Sequence, residues 1–110
     1  MIVLACLQIG YFLITGVWPL IHRRSFEATT GPKVDWWLVQ MVGLLTVVIA
    51  IVLVYGLRQE DYFLVRLIGM ASADAFIIID LSYALKGRIS KIYIADAFIQ
   101  FLFCLGYLIL

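Results

Sequence analysis

The stretch Val42-Gly-Leu-Leu-Thr-Val-Val-Ile-Ala-Ile-Val-Leu-Val54 decides the fold class. It is apolar at every position except Thr46, with no alternation of polar and apolar residues. A transmembrane barrel strand alternates over about 10 residues, so this run is not one. Extended outward to Trp36 and Leu57, it reaches the roughly 20 residues that a helix needs to cross a hydrocarbon core about 30 Å thick. Its many Val and Ile residues do not oppose a helix. In hydrocarbon only a helix or a closed barrel satisfies its own backbone N–H and C=O groups.

Three more runs of this kind follow the same logic, giving expected spans over 2–20, 36–57, 62–85 and 92–110. The segments between them read as turns: His22 to Asp35, Arg58 to Asp61 and Lys86 to Lys91. No small-residue cleavage site marks the first run as a removable leader, so it is kept as a span. Composition agrees. Of 110 residues, 65% are hydrophobic and 14% charged, against about 45–50% apolar and about 25% charged in an ordinary soluble domain. Mean hydropathy is +1.11. The expectation is an all-α integral membrane four-helix bundle, up-down-up-down, forming one domain with the lipid bilayer as its first partner.

Lys and Arg near the span ends set the orientation. The first and third turns carry Arg23, Arg24, Lys33, Lys86, Arg88 and Lys91, whereas the second carries Arg58, with Arg66 just inside the third span. The first and third turns are therefore expected in the cytoplasm, with both termini outside. A net charge of +1 leaves no basic surface for nucleic acid. Cys6 and Cys104 lie inside apolar runs, with no metal-ligand spacing and no disulfide framework. They read as small apolar fillers. One His, no nucleophile–base arrangement and no Gly-rich phosphate loop leave no catalytic residue, metal or cofactor to name.

Polar residues at membrane depth need a reason, because a charge at a helix centre costs roughly 2.5–3.5 kcal/mol on insertion scales. At about 1.5 Å per residue, Thr15, Gln40, Asp80 and Asp96 fall in one layer, and Gln8, Thr46, Asp74 and Gln100 in a deeper one. Tyr93, Asp96, Gln100, Phe103 and Tyr107 form one stripe at helical spacing. Asp74 lies roughly 120° from Asp80 around its helix. Both line one interior only by pointing at different neighbours. The functional reading is a ligand site or an ion or proton pathway through Asp74, Asp80, Asp96, Gln40 and Gln100. Two carboxyls sharing a depth in low dielectric do not both ionise easily. The plainer reading is interhelical glue, at about 0.6 kcal/mol per contact.

The first turn is the longest. Trp18, Trp36 and Trp37 bracket it at headgroup level, Thr30-Gly31-Pro32 signals a turn, and Asp35 is placed to cap the second span. Ser25 to Thr29 has room for one short helical turn with Phe26 at the membrane edge. His22, Arg23, Arg24 and Lys33 read either as headgroup contacts or as positive-inside anchors.

Gly16-x-Trp18-Pro19, Ser25-Phe26, Thr29-Thr30-Gly31-Pro32-Lys33-x-Asp35-x-Trp37-Leu38-Val39 and Gly43 resemble a pattern in small bacterial four-helix membrane proteins of the broad DoxX-like group. The resemblance covers the whole chain as architecture and the first hairpin as motif. It implies a bacterial inner-membrane location. It implies no reaction or substrate, and no catalytic residue is carried over. The chain lacks a redox cysteine pair, which argues against a thiol-linked role. Two functions stand side by side. One is a transport or ligand-binding protein with a proton- or cation-linked polar interior, working as a homo-oligomer if it transports. The other is a non-enzymatic assembly protein that pairs with membrane partners.

Overall fold

The computed structural model describes residues 1–110 and is all-helical. Its helices are α1 (Ile2–Ile21), α2 (Arg23–Thr30), α3 (Trp36–Arg58), α4 (Tyr62–Leu85) and α5 (Ile92–Ile109). All except α2 are long and apolar enough to cross a membrane. Most large apolar side chains remain on the outer surface, and only 23 of 110 residues are buried. That distribution suits helices whose surroundings are hydrocarbon rather than water.

The helices pack as two pairs, α1 with α3 and α4 with α5. The first pair meets at two glycines. A Cβ on Gly43 would stand 2.5 Å from the Gly16 carbonyl oxygen, and one on Gly16 would stand 2.8 Å from the Gly43 oxygen. Small residues let helix backbones approach this closely, which is a main source of helix association in lipid. The two pairs join at the α3–α4 turn, where Gly56 lies against Val65. Asp61 caps α4 there, its Oδ1 accepting from the Leu64 N–H at 3.1 Å. The largest fully buried apolar side chains, Phe12, Leu53, Val65 and Tyr107, gather in this half of the molecule.

Toward the other end the two pairs diverge, and α2 bridges them by touching both α1 and α5. This helix is longer than the single turn expected. Its cap is the His22 side chain, whose Nδ1 accepts from the Ser25 N–H at 3.1 Å. The Phe26 ring packs edge-on against Trp18 (5.4 Å) and Trp36 (5.9 Å), the two tryptophans that flank the turn. Asp35 takes the expected N-cap position of α3, but its side chain makes no capping hydrogen bond; its carbonyl holds the Leu38 N–H, at 3.1 Å.

Candidate functional site

Between the diverging pairs lies a cleft of about 670 Å³, within the usual range of about 300–1,000 Å³ for small-molecule sites. Its walls come from all five helices and are mostly apolar. Its polar groups are concentrated where α1, α4 and α5 come together.

Asp80 of α4 and Asp96 of α5 meet there within hydrogen-bonding reach of each other. Both line the cleft, as does Gln100. Asp80 is 5% exposed and Gln100 1%. Helical spacing puts Gln100 one turn after Asp96, and its Nε2 donates to Asp96 Oδ1 at 3.4 Å. The Tyr11 hydroxyl of α1 donates to the same oxygen. Asp80 Oδ2 and Gln100 Oε1 are buried and accept no hydrogen bond from the chain. No Lys or Arg pairs with either carboxylate, for the sole ion pair is Arg23–Glu27. The centre is thus a pair of carboxyls without a cation, steadied on one side by Tyr11 and left with unused acceptors on the other. Such acceptors cost about 1–3 kcal/mol each when buried without a donor.

Tyr11 was not among the residues singled out from the sequence. The signal was present, since Gln8, Tyr11 and Thr15 form one stripe at helical spacing. Gln40 and Asp74 lie elsewhere. Both are exposed, and neither lines the cleft. Depth groups both with the others, while the helical angle already sends Asp74 toward a different neighbour from Asp80. The buried face of α3 runs through Gly43, Thr46, Ala50 and Leu53, and Gln40 stands roughly 120° around the helix from Thr46. Asp74 is turned away from Asp80 by a similar angle and accepts from Cys104 Sγ at 3.0 Å. A second polar node lies outside the cleft lining. Gln8 Nε2 donates to the Gly69 carbonyl at 3.0 Å, and Tyr107 donates its hydroxyl to Gln8 Oε1 at 2.7 Å. Gln8 and Tyr107 are fully buried, so this node ties α1, α4 and α5 together.

The bridge across the wide end is polar and aromatic. Glu27 accepts from Arg23 Nε at 2.7 Å and from the Lys33 backbone N–H at 2.8 Å. That amide first, and the Arg23 guanidinium second, hold the Glu27 carboxyl below the usual range. Arg23 also stacks on Trp36, 4.7 Å from the ring centre. Lys33 donates to the Thr30 carbonyl at 2.8 Å and sits 5.0 Å over the Tyr93 ring of α5. Trp18 Nε1 donates to Ser25 Oγ at 2.7 Å. Of the four basic residues in this turn, His22 caps α2 and Arg23 and Lys33 are engaged within the chain, while Arg24 is exposed and makes no ion pair. No family model, no curated protein and no solved structure matches this chain.

Proposed function

We propose that this is a small multi-pass ligand-binding or transport protein of the bacterial inner membrane. Its ligand occupies the cleft between the two helix pairs, with Asp80, Asp96 and Gln100 as polar anchor. The observation that supports this reading is a carboxyl pair without a cation, set at the polar end of a mostly apolar cleft of ligand size. Intramembrane carboxyls without a partner commonly mark ion, proton or ligand paths. The chain runs up-down-up-down with both termini outside, because Arg23, Arg24, Lys33, Lys86, Arg88 and Lys91 favour the cytoplasmic side. The α2 bridge then lies at the inner leaflet, where exposed Arg24 meets lipid phosphates.

The glue reading fits Gln8 best, since its hydrogen bonds to Gly69 and Tyr107 use both ends of the amide. It accounts less well for Asp80 Oδ2 and Gln100 Oε1, which are buried and accept no hydrogen bond.

Native mass spectrometry of protein taken gently from its membrane tests the proposal. Wild type is expected to carry a small molecule that Ala75→Trp loses, because Ala75 lines the cleft and the indole obstructs it. The loss should leave helix content and the oligomeric state unchanged. Equal adducts on both proteins, or none on either, would count against a ligand in the cleft.

A further inference from the structure

Resting on the ligand-binding reading above, we infer that the cleft takes an amphipathic primary amine that enters sideways from the bilayer, its ammonium seated at Asp80, Asp96 and Gln100 and its apolar body along α3 and α4.

The head group follows from the acceptors. Asp80 Oδ2 and Gln100 Oε1 are buried and unpaired, and both belong to side chains more than nine-tenths buried. An ionised carboxylate and an amide oxygen accept and do not donate, and when one carboxyl of the pair keeps its proton the other still carries the charge. A complementary head group therefore brings several donors and no lone pair of its own. A primary ammonium has three N–H donors and no acceptor. It also brings the positive charge that the chain does not supply here, since no Lys or Arg pairs with either carboxyl and Lys33 is held at the wide end by Thr30 and Tyr93. A hydroxyl offers one donor and turns its lone pairs toward the carboxylates. A quaternary ammonium has the charge but no N–H.

The body follows from the walls. Val42, Leu45, Ile49, Phe76, Ile79 and Ile99 line the cleft and accept an alkyl or aryl body without polar cost. The route follows from exposure. Leu45 of α3 is 56% exposed and Ile79 of α4 is 55% exposed, yet both line the cleft. The cleft therefore opens laterally between α3 and α4 as well as under α2. A molecule already dissolved in the lipid reaches it through this side. An ammonium approaching from the bilayer is attracted by the single negative charge that the pair carries when one carboxyl is ionised, and that attraction is strong in low dielectric.

The probe is tritiated dodecylamine, with wild-type protein in nanodiscs and empty nanodiscs as the blank. Saturable binding above the blank is expected. Dodecylamine should compete, while dodecanol and dodecyltrimethylammonium should compete at least about tenfold more weakly, equivalent to about 1.4 kcal/mol. Asp80→Asn combined with Asp96→Asn should lose a similar factor or more, and both replacements keep side-chain shape. Leu45→Trp, at the lateral opening, should slow association. If dodecanol binds as well as the amine and Ala75→Trp blocks both, the cleft binds ligands but the amine assignment falls. If dodecyltrimethylammonium matches the amine, charge alone selects and the N–H argument falls. If no probe saturates above the blank, the amine inference is overturned, while adducts lost in Ala75→Trp would still support the broader reading. Crosslinking of two copies through α3 and α4 without any binding would show a second copy in the cleft and overturn both.

Discussion

Replacing Gly43 with alanine tests the packing that shapes the cleft. The new Cβ would stand 2.5 Å from the Gly16 carbonyl oxygen and 3.3 Å from Pro19 Cγ. The first neighbour is backbone and cannot swing away as a flexible side-chain end does. To move from 2.5 Å to the 3.4 Å where ordinary contact begins, α1 and α3 must part by about 0.9 Å. Overpacking of this kind costs about 1–3 kcal/mol. Alanine recovers up to about 1 kcal/mol of helix propensity over glycine. The net expectation is a loss of about 1–2 kcal/mol, a five- to thirtyfold change in the folded-to-unfolded ratio. Gly10 provides the control, since it lies in α1 and a Cβ there meets nothing within 4 Å. Gly10→Ala is expected to be neutral or slightly stabilising. Titration of both variants from bicelles into denaturing detergent, followed by steric trapping or circular dichroism, measures the difference. Equal midpoints for Gly43→Ala and Gly10→Ala would refute the close-contact reasoning.

Three further outcomes follow from the hydrogen bonds. Tyr11→Phe removes the donor to Asp96 and should cost about 0.6 kcal/mol, with an upper bound near 1.7; in a double-mutant cycle with Asp96→Asn the two effects should be non-additive, and strict additivity would show that the contact carries nothing. Gln8→Leu breaks links to both Gly69 and Tyr107 and should cost roughly 1–2 kcal/mol by the same scale. It should exceed Thr46→Val, whose hydroxyl bonds only Val42 of its own helix, and matching losses would contradict a role for Gln8 in joining helices. For Glu27, whose carboxyl is held below its usual range by the Lys33 amide and Arg23, the stabilising effect is complete above the ordinary glutamate range and disappears as pH falls through the lowered value. Tryptophan fluorescence from Trp18 and Trp36 should report an acid transition in wild type that Glu27→Gln lacks, and an unchanged transition in the variant would rule out a stabilising role for the Glu27 contacts.

The four long helices were legible because each is a run of apolar residues as long as a bilayer is thick, a signal that depends on neither packing nor partners. Asp80, Asp96 and Gln100 could be grouped from depth together with helical angle. Depth groups Gln40 and Asp74 with them, but Gln40 stands about 120° from Thr46 and Asp74 about 120° from Asp80, and Asp74 meets Cys104 of α5 outside the cleft. Tyr11 escaped because a tyrosine in an apolar run reads as bulk until a carboxyl is found opposite its hydroxyl. The length of α2 was hidden for a related reason. Its cap is a histidine side chain, and its seat against the first pair depends on Phe26 meeting Trp18 of α1 and Trp36 of α3. None of these contacts leaves a periodic mark in the sequence.

The pairing of α1 with α3 has a consequence for biogenesis. During synthesis that pair is complete before α4 and α5 have emerged, and its Gly16–Gly43 contact needs nothing further. The same α1, however, carries Gln8 and Tyr11, whose partners Gly69, Asp96 and Tyr107 all lie on the later helices. Until those helices arrive, an amide and a phenol of the nascent chain face hydrocarbon with no partner in the protein. The first pair is therefore well formed yet poorly suited to diffuse away into lipid. Retention beside the insertion machinery until the second pair is delivered would satisfy both groups, and chains truncated after Arg58 should remain there longer than the whole protein does.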